Sequence, residues 1–381
     1  METPSATIPR RILQPPYQKF SVILLGLVAL GYALSYARPI LVPLLFALLL
    51  AMLLNPIVNR LMRWRIPRAL AITISLLLAM ATLAGLGYFI GTQAAHFSET
   101  MPQLNEKLDD LGKSAVRWAQ DAFNMRRGEV NDAVERVKDE SMATSGKLVG
   151  RTLTTVGTLS AFFFLLPVFT FLLLLYKRLL ITFITKLFSP EHHAALSDVL
   201  TQTKGMVQNY LMGLIFEAGI VATLNWIGLT MIGVQYAVLL AVIGAVLNLI
   251  PYIGMIIATL LPMVIAFATM EPTAALWVLA LYLGVQFIDN NFIVPKVVAS
   301  RVELNALVSI LVVMVGGALW GIPGMFLAIP MTAILKVIFD RVPALEPFGF
   351  VLGEDEPDAL RAIFTVKGSA KGRTGSSAPR G

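Results

Sequence analysis

Apolar runs of about twenty residues recur along this 381-residue chain, and they decide most of what it can fold into. A bilayer core about 30 Å thick is crossed by roughly 20 apolar residues of α-helix, and at least about seven such stretches lie between Phe20 and Phe339. Within each run the hydrophobic residues are contiguous rather than alternating, which selects helices over a β-barrel. Composition agrees: 57% of residues are hydrophobic and 14% charged, with a mean hydropathy of +0.75. Soluble domains have about 45–50% and about 25%. The expected fold is all-α, a polytopic transmembrane helical protein of about eight spans. The first run begins near Phe20, has no small-residue cleavage site behind it and leads straight into a second. It therefore reads as an uncleaved span and not as a signal peptide.

Two of the longest runs are interrupted. LNLIPYIGMIIATLLP (Leu247 to Pro262) and LWGIPGMFLAIP (Leu319 to Pro330) each place Pro and Gly inside apolar sequence, and FIDNNFIVPK (Phe287 to Lys296) sits between them. Backbone broken at membrane depth persists only where protein or a water-filled cavity satisfies its polar groups. Paired Gly/Pro interruptions also point to the binding site of a secondary transporter, because broken helix ends aim dipoles and free carbonyls at a solute or ion. The residues expected to break the hairpins are Pro251, Gly254, Pro295, Gly321, Pro323 and Gly324. A structural re-entrant loop would carry the same signature. From Tyr236 to Met270 a straight helix would be about 52 Å long, so the segment either crosses twice or enters and leaves on one side.

The chain divides into residues 1–92, three N-terminal spans; 93–151, an extracytoplasmic amphipathic helical hairpin; 152–209, a fourth span and a cytoplasmic amphipathic helix; 210–342, the transport core; and 343–381, a cytoplasmic tail. In the hairpin, Leu104, Leu108, Leu111, Ala115, Trp118 and Ala122 alternate steps of four and three, the seam of an amphipathic or coiled-coil helix. Val130, Val134 and Val137 form a second such pattern. In the fourth span, Thr152 to Tyr176, Pro167 is a candidate kink. Ser189–Pro190–Glu191 reads as a helix start. From Gly353 the tail lacks apolar residues to bury, so residues 343–381 read as largely disordered.

Basic residues set the orientation. Arg10, Arg11 and Lys19 precede the first span, and Arg60, Arg63, Arg65 and Arg68 follow the second. By the positive-inside rule both termini are cytoplasmic. Topology explains these arginines, with a lipid-headgroup or nucleic-acid patch as the sharper alternative. It also explains the net charge of +7, without a nucleic-acid partner.

Cysteine is absent, so thiol catalysis and thiolate metal sites are excluded. The three histidines suggest no metal site, since the adjacent pair His192–His193 reads as a solvated helix start. Nucleotide-binding, zinc-protease and Gly-x-Ser-x-Gly motifs are missing, so the chain reads as a non-enzyme without a cofactor. The polar residues inside apolar sequence are the candidates for substrate or ion binding and coupling: Asp289, Asn290, Asn291, Gln286, Glu217 and Asn248. An intramembrane acid is costly and by default functional. Gln286 shares a helical face with Asp289 and Asn290 if the helix continues. Carboxylate and amide oxygens suit a cation or polar solute, and Asp289 could exchange a proton. The alternative is a helix end at the membrane surface whose amides satisfy free carbonyls, with Lys296 or Arg301 pairing Asp289 or Glu303.

DNNFIVPKVVASRVELNALVSILVVMVGGALWGIPGMFLAIPMTAILKVI (Asp289 to Ile338), together with IPYIGMIIATLLP, resembles the autoinducer-2 exporter family of bacterial membrane proteins. Matching positions are Pro251 and Gly254; Asn290 or Asn291 with Pro295; and Gly321, Gly324 and Pro330. The resemblance covers roughly Ser21 to Arg341. Many members carry His-Pro where this chain has Asn305–Ala306. The resemblance implies a multi-pass transporter of the bacterial inner membrane that assembles as a homo-oligomer in the lipid bilayer. Some members export the quorum-sensing signal autoinducer-2 and others exchange sodium or lithium for protons. The leading expectation is export of a small polar solute such as autoinducer-2. Sodium(lithium)/proton antiport through Asp289 or Glu217, and a non-transporting membrane scaffold built on the outer hairpin, are the alternatives.

Overall fold

The computed structural model describes residues 16–123, 162–250, 253–297 and 304–353, which are helical with short connections. Outside them lie Pro251, Arg301, Glu303, the first ten residues of the fourth span, the second helix of the outer hairpin and the tail beyond Gly353. The first helix of that hairpin is present, but its stripe from Leu104 to Ala122 falls among side chains outside the description. The chain divides into two compact units.

Unit 1 contains helix α1 (Pro16–Tyr36), α2 (Arg38–Arg63), the first part of α3 (Arg68–Phe123), and α4 (Phe162–Leu175). Only Ala37 separates α1 from α2, and Pro39 falls in the first turn of α2, where a missing N–H costs nothing. Ala51, Leu54 and Val58 of α2 pack with Ala71, Ile72 and Leu76 of α3 and Leu174 of α4. Polar contacts tie the same ends together: Arg68 Nη2 donates to Leu174 O at 2.6 Å, and Lys177 Nζ donates to Asn55 Oδ1 at 3.0 Å. The candidate kink at Pro167 does not interrupt α4; the chain breaks instead at Tyr176.

The second interrupted run becomes α11 (Ala306–Trp320) and α12 (Ile322–Phe339), joined by Gly321 alone at φ +68°. A Cβ there would be strained in the left-handed region, so glycine is favoured. The chain folds back at this point. Gly324 lies against Gly316 O and Gly317 against Met325, although residues eight apart on a straight helix are about 12 Å apart. Pro323 occupies the first turn of α12. The tip, residues 315–327, belongs to unit 1. There Trp320 Nε1 donates to Leu34 O at 3.0 Å, and Phe326 stacks on Phe46 with ring centroids 5.5 Å apart. The tip is therefore level with the turn between α1 and α2.

Unit 2 is built around α6 (His193–Ile232), 40 residues long. It is preceded by α5 (Lys177–Leu187), which buries no residue, and by a short turn at Pro190–His192. Ser189 does not cap the backbone; its hydroxyl lies 3.1 Å from Glu191 Oε1 and 2.9 Å from His192 Nδ1. Gly233 ends α6 at φ +88°, with its N–H on Thr230 O and the Val234 N–H on Leu229 O. This is a Schellman stop. The chain then returns as α7 (Ala237–Asn248), α8 (Ile253–Thr269) and α9 (Pro272–Ile288). Leu229, Leu240, Ala241, Ile265, Ala266 and Val278 close the core among these helices.

The α7–α8 pair is a hairpin: Gly254 lies against Leu247 O, and Gly244 faces Ala258. The 12 residues of α7 span about 18 Å, too short for a bilayer core of about 30 Å. Beyond α9 the helix does not stop at the polar stretch. It passes through a π turn at Asp289–Ile293 and continues as α10 (Val294–Val297). Pro295 therefore sits within a continuing helix and reverses nothing. Its missing N–H falls beside the π turn, where the hydrogen-bond ladder is already shifted. The C-terminal helix α13 (Glu346–Leu352) docks on Asn305, whose Nδ2 donates to Val351 O at 2.8 Å and Gly353 O at 3.0 Å.

Of the eight spans expected, five helices among the described residues are long and apolar enough to cross a bilayer: Arg38–Arg63, Arg68–Gln93, Pro190–Ile232, Pro272–Val297 and Ile322–Phe339. A sixth is gained if α4 and α5 count as one. Of the shorter apolar helices, Ala237–Asn248, Gly254–Thr269 and Ala306–Trp320 arise where the break after Asn248 and Gly321 cut two long runs in two, and Phe20–Tyr36 ends at the turn before α2.

Candidate functional site

Three helices of unit 2 bring the polar candidates together. Glu217 lies on α6, Asn248 ends α7, and Asp289 opens the π turn after α9. Both carboxylates are buried, Glu217 at 6% and Asp289 at 2% exposure. One amide serves both: Asn248 Nδ2 lies 3.3 Å from Glu217 Oε1 and 3.3 Å from Asp289 Oδ2. Gln286, half-buried, reaches Asp289 Oδ2 at 3.5 Å and donates more closely, at 3.0 Å, to Asn290 Oδ1. Asp289 Oδ1 is buried with no donor among the described residues. The face shared by Gln286, Asp289 and Asn290 is the one their spacing predicts.

The packing explains the placement. Val221, Ala245, Val285 and Ile293 form an apolar cluster that holds α6, α7 and the π turn in register. With Val221 beside Val285, α6 and α9 run antiparallel, which sets Glu217 level with Asp289. The α7–α8 break reaches the same level, so Asn248 supplies its amide from a helix end. A π turn widens the local helix and is frequent at functional positions; here it begins at the buried acid itself.

Other candidates fall elsewhere. Asn291 is exposed and donates to Phe287 O at 2.8 Å, away from the carboxylates. Lys296 is exposed and makes no ion pair with Asp289. Gly254 and the paired acids belong to one site, whereas Gly321, Pro323 and Gly324 belong to the tip in unit 1.

The structure adds two side chains that sequence reasoning did not single out. Asn225 Oδ1 and Tyr282 Oη are buried without a partner among the described residues. The antiparallel register places Asn225, two turns beyond Glu217, level with Tyr282, and Gly244 lies against the Tyr282 hydroxyl. Their signal was available in part, since Tyr282 is four and seven residues before Gln286 and Asp289 and shares their face. No grouping of three or more His, Asp and Glu suited to a metal ion occurs among the described residues. The unmet valences include the acceptor oxygens Asp289 Oδ1 and Asn225 Oδ1 and the Tyr282 hydroxyl, which both donates and accepts; such a set suits a proton, a monovalent cation or a hydroxyl-bearing solute.

A multi-helix membrane body with short broken helices converging on two buried acids defines a membrane transport protein. The sequence profile of the AI-2E transporter family matches residues 21–344, and the chain belongs to that family. It is 28% identical to PerM of Escherichia coli (strain K12) over 285 residues, 74% of this chain and 79% of PerM. YueF of Bacillus subtilis (strain 168) is 26% identical over 302 residues, 75% of this chain and 80% of YueF. YhhT of Escherichia coli (strain K12) is 26% identical over 305 residues, 78% and 85% of the two chains. PerM is named a permease, and YueF and YhhT transport proteins.

Proposed function

We propose that the chain is a secondary transporter that exports a small polar solute across the bacterial inner membrane, with Asp289, Glu217 and Asn248 as its binding and coupling site. The observation that carries this reading is the single Asn248 amide held 3.3 Å from each of two buried carboxylates on different helices. Substrate and coupling-ion sites of secondary transporters form where interrupted helices end near mid-membrane. Here the α7–α8 break, the π turn and the middle of α6 meet. A solute carrying hydroxyl groups, which both donate and accept, complements the free oxygens of Asp289 and Asn225 and the Tyr282 hydroxyl, and autoinducer-2 is the first such solute to test. Gln286 and Asn290 form the rim.

The same two acids favour a second reading, exchange of sodium or lithium for protons, in which the pair alternates between cation and proton. In the orientation we propose, with both termini cytoplasmic, the turn between α1 and α2 is outside. The Trp320 tip, level with that turn, would make α11 and α12 a pair of crossings. The α7–α8 hairpin would enter and leave from outside, its tip reaching the level of Glu217.

Purified protein in liposomes tests both readings. Efflux of pre-loaded autoinducer-2 is followed alongside internal pH, with sodium, lithium and proton gradients imposed in turn. Efflux of the signal supports export. Proton movement that requires sodium or lithium, without efflux, establishes antiport instead. Silence in both would overturn the assignment and favour a scaffold.

A further inference from the structure

The end of α2 carries more positive charge than its surroundings neutralise. Between Thr3 and Ser98 the sequence contains no Asp or Glu, so Arg60, Arg63, Arg65 and Arg68 have no acidic neighbour along the chain. Two nearby cations are turned onto the protein, Arg68 on Leu174 O and Lys177 on Asn55 Oδ1. Arg60 and Arg63 are exposed, and no carboxylate lies within ion-pair distance of either among the described residues. Three residues apart, they share one face of the helix.

That face borders a cleft of about 690 Å³ lined by Pro56, Ile57, Asn59, Arg60, Arg63 and Trp64. Its chemistry is graded along the helix. Pro56 and Ile57 give an apolar wall at the end of the hydrophobic span. Asn59, Arg60 and Arg63 follow as donors, and Trp64, 69% exposed, stands last. Indole rings of this kind sit at headgroup depth. The C-terminal end of a helix repels an anion, so any anion held here is held by the guanidinium groups. Those groups match phosphate oxygens with paired donors.

We propose that this cleft binds the phosphate of an anionic phospholipid, with Arg60 and Arg63 on its oxygens, Asn59 beside them and the first acyl carbons along Pro56 and Ile57. The proposal stands apart from the transport reading, which rests on unit 2. Exposed arginines that only set orientation would also favour phosphatidylglycerol over phosphatidylcholine, so the deciding comparison is between the cleft arginines and Arg65, which lies outside the cleft.

The test is thermal unfolding of the full-length protein in detergent micelles titrated with phosphatidylglycerol or phosphatidylcholine. Phosphatidylglycerol should raise the midpoint and phosphatidylcholine should not. In the Arg60→Gln/Arg63→Gln protein the apparent affinity for phosphatidylglycerol should fall at least about tenfold, from loss of charge-assisted bonds. Arg65→Gln removes the same kind of charge outside the cleft and should change it by less than about twofold. The single variants Arg60→Gln and Arg63→Gln, each expected to lose part of the affinity, carry the test if the double variant inserts wrongly. Labelling of a cysteine placed at Ser5 in this cysteine-free chain reports orientation. Equal response to the two lipids, unchanged affinity in the variants with the cleft arginines removed, or an equal loss in Arg65→Gln would overturn the proposal. So would inorganic phosphate reproducing the shift in phosphatidylcholine, which would make the ligand a soluble phosphate.

Discussion

Asp289→Asn separates a working carboxylate from a structural one, because its two expected effects have opposite signs. The substitution keeps the side chain's shape and leaves an oxygen to accept from Asn248, so what it removes is charge. A monovalent cation seated about 2.8 Å from Asp289 Oδ1 would be attracted by about 6 kcal/mol at an effective dielectric constant near 20. Desolvation offsets part of this, and truncating one partner of a buried charge pair costs about 3–5 kcal/mol. Cation affinity should therefore fall by about 150- to 5,000-fold. The empty site should gain. Glu217 Oε1 and Asp289 Oδ2 lie at most about 6.6 Å apart, twice the 3.3 Å of each contact with Asn248, so two full charges repel by about 2.5 kcal/mol or more. The expected result is gradient-driven flux in liposomes reduced by two orders of magnitude or more, with a thermal midpoint equal to or above wild type. Asp340→Asn, which removes an exposed carboxylate paired with Lys336, should leave flux unchanged. Asp289→Asn flux within about threefold of wild type would refute the reasoning, as would lost flux accompanied by a lowered midpoint.

Three further substitutions probe the frame. Gly254→Val drives a side chain into Leu247 O at the α7–α8 tip, where backbone cannot yield, and should cost about 3 kcal/mol or more, read as lost monodisperse yield in detergent. Trp320→Phe keeps a ring but loses the Leu34 O bond; a loss of about 1 kcal/mol should lower the thermal midpoint by a few degrees, and an unchanged midpoint would remove this bond from the account of the tip. Asn305→Ala removes two bonds to the end of α13 and the acceptor of the Val308 N–H. The loss, about 2–3 kcal/mol, should appear as faster hydrogen exchange in Glu346–Leu352 with transport intact.

What the sequence made legible follows from how far each signal reaches along the chain. Helices and breaks are local: Gly233 and Gly321 stop helices because of their own backbone, and the apolar runs are read within about twenty residues. Gln286, Asp289 and Asn290 were legible as one face because α9 continues through them. That Glu217 and Asn248 join Asp289 depends on how α6, α7 and α9 pack, and that register is set by Val221, Ala245 and Val285, residues with nothing to mark them among so many similar ones. Asn291 shows the opposite limit: only two residues after Asp289 in sequence, it falls on another face of the helix and is exposed, donating to Phe287 O. Asn305, met as a departure from a His-Pro pair, serves as a cap and clasp through bonds to carbonyls more than forty residues further on, which no local pattern announces.

The one-residue connection at Gly321 bears on how the protein is made. Ordinary spans emerge from the ribosome separated by polar loops, and each can partition into lipid before the next is complete. Between Ala306 and Phe339 there is no such loop, only a glycine between 15 and 18 residues of helix. The first of the two is short for a stable crossing by itself, and its partner must be synthesised before Gly324 can close on the Gly316 carbonyl. In the crossing orientation we propose, the pair would enter the bilayer together, as a hairpin, and not one helix at a time. A residue inserted at Gly321 would strike biogenesis before it could affect any later behaviour of the mature protein.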